Sequence, residues 1–187
     1  MNSPVYRMAI IGLMIAVYVV LARMSIVIIN WKITMKWLPV VVMAMLFGPV
    51  NAAVVGGVGE FISQLIGYGL MVTTPLWLIA PMVYGLVAGF GCNWLHKQHF
   101  SKPGMKQILF FVILIVASLL TTLTNTVCIA LDAVIGGYYK PAIVFGQLAV
   151  RIATGIVTAV VVGIINIPLM KALCRVVPGS RDLFSKE

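Results

Sequence analysis

Residues 33–67 read ITMKWLPVVVMAMLFGPVNAAVVGGVGEFISQLIG. Two apolar segments meet at Gly48-Pro49, a pair that stops one helix and suits the first turn of the next. The stretch therefore predicts a membrane hairpin of two helices. Its second arm is rich in glycine and alanine and carries a lone carboxylate, Glu60, several turns inside it. An ionisable group at such a place is costly unless it faces a polar interior and finds a partner. Glu60 is the first candidate functional residue.

The rest of the chain fits a bilayer. Of 187 residues, 62% are hydrophobic and 9% charged, and the mean hydropathy is +1.12. A soluble domain of ordinary make-up has too many polar groups at its surface to match this. The net charge of +9 comes from cations scattered at the ends of apolar segments. They form no dense patch with interleaved aromatics, which speaks against nucleic acid and for helix-end anchors in contact with lipid. Cys92, Cys128 and Cys174 lie in or beside apolar segments without a CxxC or a histidine at ligand spacing, so they are expected to pack rather than hold a metal. The run 8–22 after Arg7 ends in Val20-Leu21-Ala22-Arg23, a poor cleavage site, and is read as a retained helix.

Hydropathy and breakers predict an all-α integral membrane protein, one domain of six transmembrane helices at about 4–28, 34–47, 50–67, 75–94, 107–135 and 142–173. The second is short for a full crossing and contains Pro39; Pro81 is expected to distort the fourth. On the first, Ala9, Gly12, Ala16 and Arg23 share a face. Gly12-x-x-x-Ala16 lets another helix approach closely, whether inside the fold or from a partner.

Six crossings put both termini on one side, together with Arg7, Lys97, Lys102, Lys106, Lys171, Arg175, Arg181 and Lys186. The opposite side has Arg23, Lys32, Lys36, Lys140 and Arg151. This imbalance predicts cytoplasmic termini. Counting about 1.5 Å per residue from the outer helix ends puts Glu60 about 10 Å deep, Arg151 about 13 Å and Asn125 about 15 Å. Gln64, four residues after Glu60, and Gln147, four before Arg151, come out shallower, with Asp132, Arg23 and Lys36 near the rim. Together they outline a polar cup open to the outside.

Two readings stand for Glu60 and Arg151. They form an ion pair that pins two helices, or they bind a ligand, the carboxylate accepting from N–H groups and the guanidinium gripping a carboxylate or carbonyl. Asn125 and the threonines 121, 122, 124 and 126 either cross-link helices or face the cup. Trp31, Trp37 and Trp77 are interfacial belt residues or stacking platforms for a planar ligand. No GxSxG, HExxH or GxxxxGK[ST] occurs, so no enzyme and no cofactor is expected, and the chain cannot hydrolyse ATP through a P-loop of its own.

The run Trp37-Leu38-Pro39 through Phe47-Gly48-Pro49, continuing from Ala52-Ala53 through Gly56-Gly57-Val58-Gly59-Glu60-Phe61, resembles the substrate-binding S components of energy-coupling factor (ECF) vitamin importers. Gly12 and Ala16, Arg23, and Val83-Tyr84-Gly85-Leu86 extend the likeness over most of the chain, which is most similar to the folate-type branch. It has Glu60 where that branch commonly has Asp, and Thr73-Thr74-Pro75-Leu76-Trp77 in place of a Pro-Gly-Phe-Thr stretch. The resemblance implies a multi-pass subunit of a prokaryotic cell membrane that captures a small water-soluble vitamin from outside, folate or a related compound first. With the polar cup, its rim and its tryptophans as the site, the expected substrate-binding residues are Glu60, Gln64, Asn125, Gln147, Arg151, Arg23, Lys36, Trp37, Trp77 and Asp132. Ala9, Gly12 and Ala16 would dock on a transmembrane scaffold subunit driven by two cytoplasmic ATPases, which hydrolyse the ATP. Rival readings are a self-sufficient secondary transporter, with Glu60 exchanging a proton or cation, and a membrane scaffold that transports nothing.

Overall fold

The computed structural model describes residues 4–24, 26–28, 31–98 and 103–176. In chain order they form α1 (Pro4–Arg23), β1 (Ile26–Ile28), β2 (Trp31–Ile33), α2 (Trp37–Phe47), α3 (Pro49–Tyr68), α4 (Thr74–Lys97), α5 (Pro103–Ile135), α6 (Pro141–Phe145) and α7 (Leu148–Val176). Among the described residues, α1, α3, α4, α5 and α7 are long and apolar enough to cross a membrane, and α2 is a shorter apolar helix. His99, Lys102, Arg181 and Lys186 lie outside the described residues.

The hairpin expected at Gly48-Pro49 is the centre of the fold. Gly48 alone separates α2 from α3, with φ 83° and ψ −171°, a backbone region essentially reserved for glycine. Pro49 then opens α3, where its missing N–H is no loss. Asn51 Nδ2 reaches back to the Phe47 carbonyl at 2.7 Å and satisfies one of the orphan acceptors that end α2.

Every residue of α2 from Pro39 to Leu46 is buried. A helix that is apolar all round is stable only where it is covered all round, and α2 is enclosed by α1, α3, α4 and α7. Its run of valines and methionines joins Tyr18, Tyr84, Phe110, Leu114 and Met170 in one core. The α3–α4 contact is the most extensive between helices. It depends on small residues: a Cβ on Gly85 would stand 2.6 Å from the Ala52 carbonyl carbon, and one on Gly56 2.7 Å from the Pro81 oxygen. Backbones approach closely there without an aqueous hydrophobic drive. Helix α4 runs on through Pro81 to Lys97.

Two expectations need correction. The first helix ends at Arg23 rather than near Ile28, because Ile26, Val27 and Ile28 are β-branched and pair antiparallel with Ile33, Lys32 and Trp31. Among the described residues the fold is thus helical except for this short hairpin. The last long helix is divided: α6 stops at Phe145 and α7 starts at Leu148, with Gly146 and Gln147 between them.

Candidate substrate-binding site

A cavity of about 290 Å³ lies among α2, α3, α4, α5 and α7. Helix α1 lines none of it. One wall is charged and aromatic. Lys36, the residue before α2, and Glu60 of α3 form an ion pair at 2.8 Å, with side chains 20% and 10% exposed. The same Glu60 Oε2 accepts the Tyr18 hydroxyl at 2.7 Å, while Oε1 accepts from Gln64 Nε2 at 3.1 Å. Three donors on three elements thus surround the carboxylate, which accounts for its tolerance inside an apolar helix. The Lys36 ammonium also stands 5.1 Å from the Trp37 ring centre, within cation–π range. Trp37 leans on Tyr84 at 4.4 Å between centroids, and Trp77 lies beside them on the lining. Pro81, also on the lining, has no N–H to offer the carbonyl of Trp77, one turn earlier.

The other wall is rich in hydroxyls and carries one cation, Arg151. Ser118, Thr121, Thr122 and Asn125 come from one face of α5, and Arg151, Thr154, Gly155 and Thr158 from one face of α7. The threonines do not cross-link the helices. Thr121 donates to the Ala117 carbonyl at 2.7 Å, Thr122 to Ser118 at 2.9 Å and Thr154 to Val150 at 2.8 Å, each four residues back on its own helix. Their protons are spent on the backbone, so they turn lone pairs toward the cavity. Thr124 and Thr126 bond their own helix too and are not on the lining. Gly155 lets the two helices close below, since a Cβ there would come within 2.6 Å of Ser118 Oγ.

The residues singled out in the sequence divide cleanly. Glu60, Lys36, Trp37, Trp77, Asn125 and Arg151 meet at this cavity, and Gln64 stands behind Glu60. The anticipated Glu60–Arg151 pair is not formed: Lys36 occupies the carboxylate, and Arg151 Nη1 makes only a 3.5 Å contact with the Val144 carbonyl. Three residues lie elsewhere. Arg23 ends α1 beside the last turns of α3 and donates to the Ser63 carbonyl at 2.7 Å. Gln147 is exposed in the break between α6 and α7, a break that the even spacing of Gln147 and Arg151 does not reveal. Asp132 is the hydrogen-bond acceptor of the Tyr138 hydroxyl at the end of α5, and this carboxylate raises the Tyr138 pKa above the ordinary tyrosine value. The side chain of Trp31 lies outside the described residues. Ala9, Gly12 and Ala16 are exposed on α1, and a Cβ on Gly12 would meet nothing within 4 Å. Among the described residues that face serves no packing inside the fold.

Residues 2–175 match the family model described as "ECF-type riboflavin transporter, S component". The chain belongs to this family. The S component fold is found again in a solved structure described as the S component of a bacterial ECF transporter. It is 17% identical, with a TM-score of 0.64 over 93% of this chain and 98% of that one. No curated protein matches. Family membership makes this chain the vitamin-binding component of an ECF transporter, a multi-pass membrane protein and not a member of an enzyme family.

Sequence reasoning missed Tyr18, Tyr84, Ser118, Thr154 and Thr158 at this site. The α7 pair had a usable signal, since Arg151, Thr154 and Thr158 recur at three and four residues on an otherwise apolar helix. Tyr18 and Tyr84 had none, because a tyrosine in an apolar run reads as an ordinary core or interfacial residue.

Proposed function

We propose that this S component captures a planar heterocyclic vitamin from the outer side of a prokaryotic cell membrane and passes it inward with a partner ATPase module. The observation that carries the reading is the convergence of the aromatic group Trp37, Tyr84 and Trp77 and two kinds of polar wall on one membrane-embedded cavity. A ring system stacks on the former while polar substituents reach the latter. Counting α2 as a short crossing beside the five long helices gives six, and the distribution of cations supports cytoplasmic termini. The open Ala9-Gly12-Ala16 face of α1 supports docking on a transmembrane scaffold, whose two cytoplasmic ATPases hydrolyse ATP.

Riboflavin, the vitamin in the family's description, is the first candidate and folate the second. Lys36 and Glu60 cancel each other, which among the described residues leaves Arg151 as the remaining charge on the lining. One cation is too few to match the two carboxylates of folate. The lone pairs of Thr121, Thr122 and Thr154 suit a neutral chain that brings its own O–H donors. The saturated state of Glu60 also argues against the secondary-carrier reading, in which that carboxylate would have to exchange protons.

The test is a titration of the purified, detergent-solubilised chain with riboflavin and with folate, followed through tryptophan fluorescence and flavin quenching. Micromolar or tighter binding of either is expected. A folded sample that binds neither, nor any other water-soluble vitamin, would sink the proposal. Uphill uptake by the chain alone in liposomes, driven by a proton or sodium gradient, would restore the secondary-carrier reading.

A further inference from the structure

Helix α1 contributes no residue to the cavity lining, yet it is tied to the one charged pair there. Tyr18, fully buried, donates its hydroxyl to the same Glu60 oxygen that accepts Lys36. Its ring fits a notch left by Gly59, where a Cβ would stand 2.6 Å from the ring. A second tie lies two turns along α3: Arg23 bonds the Ser63 carbonyl, and its guanidinium lies over Gly67, 2.8 Å from where a Cβ would be. Gly59, Ser63 and Gly67 are four residues apart and form one stripe of α3. The outer face of α1 is exposed at Ala9, Gly12, Leu13, Ala16 and Val20. The Tyr18 bond is thus a polar link between α1 and the charged pair at the cavity wall.

We infer that Tyr18 is a positioning residue through which the cavity and α1 sense each other. Tyr18 holds Glu60, Glu60 holds Lys36 at the cavity wall, and a ligand that engages Lys36 or Glu60 resets the seat of α1. The inference rests on the capture reading given above. Coupling of this kind is reciprocal: whatever Tyr18 contributes to ligand affinity, bound ligand returns to the seating of α1.

The experiment uses the full chain in detergent, with riboflavin and folate as probes. Tyr18→Phe keeps the ring in the Gly59 notch and removes one hydrogen bond to a charged group, so vitamin affinity is expected to fall about 10-fold. In the wild-type chain, saturating vitamin slows amide hydrogen exchange over residues 14–22; in Tyr18→Phe the same occupancy leaves it unchanged. A merely structural Tyr18 would alter stability without removing this ligand-dependent protection. Wild-type affinity in Tyr18→Phe, or wild-type protection of α1 at equal occupancy, overturns the inference. Should Tyr18→Phe fail to fold, ligand-free Lys36→Met tests the same link from its other end. Faster exchange in α1 supports it and unchanged exchange overturns it. If the wild-type chain binds no vitamin at all, the capture reading fails first; if it binds and α1 does not respond, only the inference fails.

Discussion

Removing Lys36 should harm this protein more than neutralising Glu60, and removing both should repair part of the damage. Lys36→Met keeps an apolar stem against Trp37 but leaves the Glu60 carboxylate, 10% exposed, with Tyr18 and Gln64 as its only donors. Breaking a fully buried pair in this way costs about 3–5 kcal/mol. Because this pair borders a cavity that water can enter, about 3 kcal/mol is the better figure. Glu60→Gln leaves an ammonium behind instead, but Lys36 is 20% exposed on a flexible stem and can turn toward the cavity mouth. Its loss should be smaller, about 1–2 kcal/mol. With about 2–4 °C per kcal/mol for a chain of this size, the melting temperature should drop about 6–12 °C for Lys36→Met and about 2–8 °C for Glu60→Gln. The double variant should lie above Lys36→Met, since a neutral pair of similar shape carries no stranded charge. Thermal unfolding of the ligand-free chain in detergent, followed by circular dichroism, measures all three. Simple addition of the two losses would refute the assignment of Lys36 as the partner that makes Glu60 tolerable.

Other outcomes follow from single features. Gly48→Ala places a side chain on a backbone at φ 83°, where its Cβ would meet Asn93 at an ordinary contact distance of 3.5 Å, so the cost is conformational, about 1–3 kcal/mol, and unfolding should begin at a lower temperature. Gly12→Val adds bulk where α1 meets nothing within 4 Å; it should leave vitamin binding intact while abolishing ATP-driven uptake in cells that carry the partner subunits, and normal uptake would dismiss the docking role. Thr122→Val with Thr154→Val should weaken riboflavin more than folate, by about 10-fold per lost acceptor at most, as read by the same titrations. Tyr138 should ionise above the ordinary tyrosine range when titrated by absorbance: its raised pKa means the bond to Asp132 holds at neutral pH and is lost only as alkali removes the phenolic proton. Asp132→Asn should bring that titration back toward the ordinary value.

Hydropathy and turn chemistry made most of the architecture legible. Gly48-Pro49, the all-apolar α2 and the glycine-rich α3 each have a local cause, and each appears where the sequence put it. Local reasoning failed where two options were locally equal. A β-branched run after Arg23 suits a helix end or a strand, and pairing with residues 31–33 decides for the strand. Counting depth gathered Glu60, Asn125 and Arg151 at one cavity, because depth along a straight helix is nearly a property of the sequence. It could not find rotation about the bundle, and so the ion-pair reading, one of the two open for Glu60 and Arg151, mispaired Glu60 when the nearer cation was Lys36, at the very start of the opening hairpin.

That mispairing changes where selectivity must come from. If Glu60 and Arg151 faced each other across an empty cup, a ligand would be chosen by its charge pattern. With Glu60 held by Lys36, Tyr18 and Gln64, a ligand that displaced those donors would have to replace all three or leave a carboxylate stranded, which is expensive at this depth. A ligand can touch Lys36 or Glu60 on the lining without breaking their pair, so discrimination falls on the other groups there: the faces of Trp37 and Trp77, the lone pairs of the α5 and α7 threonines, and Arg151 at one side. A site of this kind rewards shape and hydrogen-bond direction over charge, and rejects an analogue that lacks a donor more strongly than one that lacks a methyl group. Vitamin analogues altered at single O–H or N–H groups should thus lose more affinity than analogues altered at ring methyls, and the reverse order in a competition titration would place the determinant back on the charged pair.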